Sequence, residues 1–115
     1  MTQDVSYQNL NPLALLERSA FVYPEKTAVV YKDQRYTYSQ FADRVKRLAN
    51  ALRDAGVEKG DKVAFLVPNL PAMLEGHFGP LRLGAVLVAL NTRLSSRELG
   101  YIVNHSEAKV LVFDS

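Results

Sequence analysis

The 115-residue sequence contains no cysteine. Disulfide bridges and thiolate metal sites are therefore excluded, and the chain suits a reducing compartment, so we expect a cytoplasmic location. The amino terminus has no basic segment followed by an apolar stretch, which predicts no signal peptide. Its apolar runs are all far shorter than a bilayer span, which predicts no transmembrane segment.

The sequence also lacks an excess of either charge. Its 14 Lys and Arg residues nearly balance 12 Asp and Glu residues, which gives a net charge of +2. Such a balance does not favour binding to nucleic acid or to an anionic membrane surface. Arg44, Lys46 and Arg47 are flanked by Asp43 and Asp54 without interleaved aromatic residues, a pattern typical of a solvated helix face.

Glycine is scarce, and its positions exclude the common phosphate-binding loops. The six glycines never fall at the spacings of the dinucleotide-binding or P-loop motifs. A zinc-binding helix needs two His residues on one face, and Glu75-Gly76-His77 supplies only one. We therefore predict no catalytic, cofactor-binding or metal-binding residue within residues 1–115.

Hydrophobic residues, by contrast, make up 48% of the chain and form well-bounded segments. Residues 62–67 and 85–90 are apolar runs with almost no polar alternation, typical of strands covered on both faces in a parallel sheet. Between them, residues 70–83 are predicted to form one helix that is apolar nearly all round, and Pro80 near its end should kink it or tighten its last turn. We expect the side chain of Asn69 to cap this helix.

The remaining segments continue the alternation of helices and strands. Capping signals and helical spacing of apolar residues predict three more helices, and β-rich runs predict a hairpin and a last strand: helices at 12–22, 38–55 and 95–105, a hairpin of 27–31 with 35–38, and a strand at 109–113. This order predicts the α/β fold class, as a three-layer structure with a parallel sheet and a small β-hairpin near the amino terminus. No linker or repeat divides the chain.

The two histidines are best interpreted as structural residues. His77 lies in the middle of a predicted helix without a second metal-ligating residue at the right spacing. His105 lies at the end of the last predicted helix, where a cation complements the helix dipole. We expect neither imidazole to act in catalysis.

Asn69 and the trio Asn91-Thr92-Arg93 follow two predicted core strands. The carboxyl ends of parallel strands are where α/β folds bind ligands, so Arg93 could face a phosphate or a carboxylate. The alternative is that Asn69 caps a helix and Arg93 anchors its own loop through backbone carbonyls. The residues alone favour this second, structural interpretation.

The order and spacing of several segments resemble those of the adenylate-forming (AMP-binding) enzymes. Within that superfamily, the chain is similar to the amino-terminal part of a fatty-acid or related acyl-CoA synthetase. The matching segments are GDKVA at 60–64, PNLPAM at 68–73, HFG at 77–79, GAV at 84–86 and LNTRL at 90–94. Further matches are 12–18, YTY at 36–38, REL at 97–99 and YI at 101–102. Each segment is a scaffold signature, and the ordered set carries the resemblance.

This resemblance implies that residues 1–115 are a partial AMP-binding subdomain, the first part of the large amino-terminal domain. It implies a parent ligase that converts a carboxylate, such as a fatty acid, and ATP into an acyl-adenylate and then into a coenzyme A thioester. The resemblance implies that the parent ligase uses ATP, coenzyme A and Mg²⁺. We expect this segment alone to bind none of them. The family's phosphate loop and catalytic Lys are absent here, so we expect an inactive scaffold.

Two matters stay open at this level. A stand-alone, non-catalytic α/β binding or interaction module could carry the same strands and helices. The sequence also leaves open the acyl chain length, an aryl instead of an alkyl substrate, and assembly into a homo-oligomer.

Overall fold

The computed structural model describes residues 11–114. Its helices and strands alternate as the sequence predicts, and the α/β class with a parallel sheet and a small hairpin is confirmed. In chain order the elements are α1 (Pro12–Val22), β1 (Thr27–Tyr31), β2 (Gln34–Thr37), α2 (Tyr38–Asp54), β3 (Lys62–Leu66), α3 (Pro71–Gly76), α4 (Gly79–Arg82), β4 (Val86–Ala89), α5 (Ser96–Ser106) and β5 (Val110–Phe113).

The main sheet has three parallel strands in the order β4-β3-β5. The connection from β3 to β4 moves in one direction across the sheet, and the connection from β4 to β5 returns over β3. Since such crossovers are right-handed, α3 and α4 must lie on one face of the sheet and α5 on the other. This arrangement gives the three layers that the alternation predicts.

The core of the sheet lies on the central strand β3, where Val63, Ala64 and Phe65 have almost no exposed surface. On the face toward α2 and α3, Val63 and Phe65 join a cluster with Leu52 and Val57. The predicted continuous burial of both faces holds for β3 only, because β4 and β5 contain only exposed and half-buried residues.

A second core joins α1 and the hairpin to α2. Leu16, Val29, Phe41 and Val45 are buried together, and Phe41 meets the edge of the Phe78 ring at a centroid distance of 5.8 Å. The hairpin turn has one residue fewer than predicted, since strand β2 already starts at Gln34. The strand ends at Thr37 because Tyr38 begins α2.

The predicted capping signals are confirmed at three helices. Asn11 accepts a hydrogen bond from the amide of Ala14, and capping boxes form at Thr37 with Gln40 and at Ser95 with Glu98. Helix α2 ends in a Schellman motif, since Gly56 has φ +97° and its amide donates to Arg53 while the amide of Val57 donates to Leu52.

The prediction of one helix over residues 70–83 is wrong. The segment forms two short helices, α3 and α4, which are separated at His77 and Phe78. Pro80 explains the break, because it has no amide to donate to the carbonyl four residues earlier and its ring clashes there. The predicted cap is also wrong: Leu70 is the N-cap residue of α3, and none of the described side chains caps that end.

Candidate functional site at the carboxyl edge of the sheet

A cavity of about 510 Å³ lies where β3 and β4 end, and we call it the sheet-edge cavity. Asn69 and His77 line one side, and Asn91, Thr92 and Arg93 line the other. The carboxyl ends of neighbouring parallel strands meet at one edge of a sheet, which brings these distant segments together. Among the described residues, its lining contains no Asp, Glu or Lys, so Arg93 is the one permanently charged residue of that lining.

The loop that carries Arg93 is fixed by Asn91. The amide of Arg93 donates to Asn91 Oδ1 at 2.9 Å, and the amide of Leu94 donates to the Asn91 carbonyl at 3.3 Å. The side chain of Asn91 thus folds the backbone into a local turn. Within residues 11–114, the guanidinium of Arg93 forms no ion pair and no hydrogen bond to a carbonyl, so the predicted anchoring of the loop through Arg93 is wrong.

The imidazole of His77 has a clear structural role. Its Nδ1 lies 2.8 Å from the carbonyl oxygen of Met73, which belongs to the last turn of α3. A carbonyl only accepts hydrogen bonds, so Nδ1 carries a proton and Nε2 is the acceptor in the neutral ring. The contact satisfies a carbonyl that the break after Gly76 leaves without its helical partner. A purely structural role in the parent protein stays a prediction.

His105 lies in the last turn of α5, as predicted. Its ring stacks on Tyr101, one turn earlier, with a centroid distance of 5.6 Å and an interplanar angle of 9°. The pair lies away from the sheet-edge cavity, whose lining includes neither residue.

Sequence reasoning missed a polar cluster that joins α2 to α3. Glu75 has 8% exposure and accepts a hydrogen bond from Arg44 Nε at 2.5 Å. The guanidinium also lies over the ring of Tyr36, 4.6 Å from its centroid. The hydrogen bond to Glu75 raises the pKa of Arg44 above its ordinary value. No local pattern indicated this contact, because Arg44 and Glu75 are 31 positions apart.

The described part of the chain offers no ready metal site. No three His, Cys, Asp or Glu side chains between residues 11 and 114 come together as a group that could hold a metal ion. Mg²⁺ prefers carboxylate and carbonyl oxygens, and the described lining of the sheet-edge cavity contains no carboxylate. We therefore assign none of these residues to Mg²⁺. Among the described helices, none is long and apolar enough to cross a membrane.

Comparisons with known proteins agree with this architecture. A family model described as "AMP-binding enzyme" matches residues 16–115. The chain is 48% identical over 108 residues to 4-hydroxybutyrate–CoA ligase 2 of Metallosphaera sedula, covering 94% of this chain and 20% of the ligase. It is 40% identical to the peroxisomal acetate/butyrate–CoA ligase AAE7 of Arabidopsis thaliana, covering 95% of this chain and 19% of that protein.

Solved structures show the same fold. The inhibitor-bound N-terminal domain of FACL13 from Mycobacterium tuberculosis superposes with a TM-score of 0.84 at 37% identity, covering 87% of this chain and 26% of that one. O-succinylbenzoate coenzyme A synthetase from Bacillus subtilis, in complex with AMP, gives 0.82 at 35% identity, with the same two coverages. The chain thus spans about a fifth of the length of the curated relatives it matches. It belongs to the family of AMP-binding enzymes.

Proposed function

We propose that the chain is the amino-terminal part of an ATP-dependent acid–thiol ligase of the AMP-forming type. The observation that carries this proposal is the match of nearly the whole chain to CoA ligases, at 40–48% identity in the two relatives described above. In the first half of the reaction, a carboxylate oxygen attacks the α-phosphate of ATP, which forms an acyl-adenylate and releases pyrophosphate. In the second half, the thiolate of coenzyme A displaces AMP and forms the thioester.

Within this reaction, residues 11–114 supply structure instead of reacting groups. The strands β3 and β4 bring two loops to one edge, and the Arg44–Glu75 contact holds α3 against α2. ATP and coenzyme A would be held mainly by residues outside this chain, and Mg²⁺, when bound, would neutralise phosphate oxygens. We propose that this segment alone binds none of them.

The proposed substrate is an aliphatic carboxylic acid, with a fatty acid as the first choice. The names of two relatives support an aliphatic acid, since one is a 4-hydroxybutyrate–CoA ligase and the other an acetate/butyrate–CoA ligase. A benzoate–CoA ligase among the relatives makes an aryl acid the alternative. We further propose a cytoplasmic location, which the complete lack of cysteine supports. Fractionation of cells that express the full-length protein would test the location directly.

The proposed function is tested by exchange of labelled pyrophosphate into ATP in the presence of single carboxylic acids. We expect the full-length protein to catalyse exchange that depends on the acid, and the 115-residue chain alone to stay at the level of a buffer control. A full-length protein that is inactive with aliphatic and aryl acids would contradict the ligase proposal. Exchange by the isolated chain would contradict the scaffold role.

A further inference from the structure

We infer that residues 5–10 of this chain pack into an apolar groove between α1, the hairpin and α3, and that Leu10 begins this packing by contacting Leu15. This packing is independent of the proposed function. Residues 1–10 lie outside the residues that the structure describes, so the occupant is identified from its sequence and from the point where it joins α1. We call the surface the α1 groove and define it by four residues of its lining: Leu15, Val29, Phe41 and Leu74.

The α1 groove is an apolar surface that the described residues leave partly uncovered. Its volume is about 320 Å³, and none of the described residues in its lining carries a charge. Leu15 on one side of the groove is 55% exposed, and Leu74 on the other side is 45% exposed. Contiguous apolar surface of this kind marks a place where another segment or molecule packs. The groove therefore favours an uncharged occupant with apolar side chains.

The start of α1 directs the preceding residues toward this groove. Asn11 is the N-cap residue, with an extended backbone and a side chain that accepts the amide of Ala14. At such a cap, the residue before the N-cap often packs against the fourth residue of the helix, an arrangement called a hydrophobic staple. Because α1 begins at Pro12, these two residues are Leu10 and Leu15. Leu15 lines the groove, so the staple brings the chain that precedes α1 onto it.

The composition and the reach of the segment match the groove. Residues 5–10 have the sequence VSYQNL, which contains three apolar or aromatic side chains and no charge. The α1 residues that line the groove run from Pro12 to Ser19, a distance of about 10 Å along the helix axis. Four extended residues span up to about 14 Å. Tyr7 can therefore reach any point along the α1 side of the groove.

The observations favour this segment over other occupants. A buried tyrosine needs a hydrogen-bonding partner for its hydroxyl, and Ser19 and Tyr38 in the lining carry hydroxyls for Tyr7. A second copy of the chain would lose translational and rotational freedom on binding, whereas a segment joined through one residue has a high effective concentration at the groove. A charged small molecule would lose its hydration without meeting a charged partner among the described lining residues.

Tryptophan fluorescence of the 115-residue chain tests the inference, because the natural sequence contains no tryptophan. We expect Tyr7→Trp to emit at shorter wavelength and to be quenched less by acrylamide than Gln3→Trp, which lies outside residues 5–10. Adding Leu15→Gln to Tyr7→Trp should return both signals to those of Gln3→Trp. Phe21→Gln is the matched control, since it changes an exposed apolar residue of α1 that is absent from the groove lining, and it should leave both signals unchanged.

A double-mutant cycle in urea provides a second test that needs no tryptophan. The effects of Leu10→Ala and Leu15→Ala on the unfolding equilibrium constant should be coupled by about threefold or more, whereas Leu10→Ala and Phe21→Ala should act additively. The fluorescence signals should not depend on protein concentration. A shift that appears only at high concentration would identify a second copy as the occupant and overturn the inference. Equal quenching of Tyr7→Trp and Gln3→Trp, or additive effects of Leu10→Ala and Leu15→Ala, would overturn it as well.

Discussion

At the scale of single residues, the contact between Arg44 and Glu75 is the ion pair of residues 11–114 with the largest expected effect on stability. The Glu75 side chain is 10% exposed and that of Arg44 is 40% exposed, so the carboxylate is nearly removed from water while the guanidinium is partly hydrated. A buried carboxylate that loses its partner keeps the cost of desolvation without compensation. Arg44 also packs on Tyr36, which adds a cation–π contact.

We predict that Arg44→Met lowers the free energy of unfolding by about 1–2 kcal/mol. This is less than the full effect of a charged hydrogen bond, because Arg44 is partly exposed to water. Urea denaturation monitored by circular dichroism measures this change. The control is Arg47→Met, which removes an exposed pair with Asp43 on the same helix and should cost less than about 0.5 kcal/mol. Equal effects of the two substitutions would contradict a special role for Glu75.

Asp61 gives a prediction on pH dependence. Its carboxylate accepts the amide of Glu58 at 2.7 Å and the ammonium of Lys109 at 3.3 Å, and these contacts hold the pKa of Asp61 below its ordinary value of 3.8, the Glu58 amide contributing most. The folded state therefore binds the proton more weakly than the unfolded state. The resulting stabilisation is complete above the ordinary pKa and is lost as the pH falls through the lower, folded value.

We expect Asp61→Asn to remove this part of the acid dependence. As the pH is lowered from neutral to below 3.8, the unsubstituted chain should lose stability relative to the variant. The difference between their free energies of unfolding should therefore shrink. Denaturation of both proteins over that range is the measurement. A difference in stability that stays constant with pH would show that the Asp61 carboxylate is not stabilised by these contacts.

At the scale of elements, the close packing of α3 on the sheet depends on Gly76. A Cβ atom at this position would lie 2.6 Å from Cε2 of Phe65, closer than side-chain atoms tolerate. Phe65 is 1% exposed in the centre of β3, so its ring has little room to move away. The short helix α3 can approach the strand only because residue 76 has no side chain.

We predict that Gly76→Ala destabilises the chain by about 1–3 kcal/mol through overpacking. Gly100→Ala is the matched control, because Gly100 lies inside α5 and a Cβ there would meet nothing within 4 Å. That control should stabilise by up to about 1 kcal/mol, since Ala favours the helix. Thermal and urea unfolding of both variants measure the two effects. A neutral Gly76→Ala would show that α3 moves freely relative to β3.

At the scale of the whole molecule, the two faces of the main sheet are covered unequally. Val63 and Phe65 lie on the face under α2 and α3 and are buried. By the alternation of side chains and the strand register, Val86, Leu111 and Phe113 lie on the opposite face, and they are 47%, 42% and 61% exposed. Helix α5 contributes no buried residue to cover them. The edge strands β4 and β5 also have free edges within residues 11–114.

We predict that the 115-residue chain associates with itself, because exposed apolar surface and unpaired strand edges both promote association. Size-exclusion chromatography with light scattering should give a mass that rises with concentration. Phe113→Lys should weaken association about tenfold or more, whereas Phe21→Lys, on the exposed side of α1, should not. A monodisperse monomer at every concentration, with a cooperative transition at high temperature, would favour a stand-alone module instead.

The sequence by itself determined the elements whose signals are local. Capping boxes at Thr37 and Ser95, the glycine after α2 and the apolar runs of the strands act through neighbours in the chain, and the structure has each of them. These signals need no tertiary contact, because a cap or a left-handed glycine satisfies backbone groups within one turn. The order of elements then limited the topology to a right-handed parallel sheet.

The tertiary structure alone decided which distant residues meet. It placed Arg44 on Glu75, brought Asn69, His77 and Arg93 to one cavity, and left the second face of the sheet partly exposed. Local patterns do not contain this information, because the contacts depend on strand order and on how closely helices approach the sheet. The cap predicted for Asn69 is wrong for the same reason, since strand order is not visible in a local pattern. Asn69 lines the cavity where β3 and β4 end, and its side chain does not cap α3.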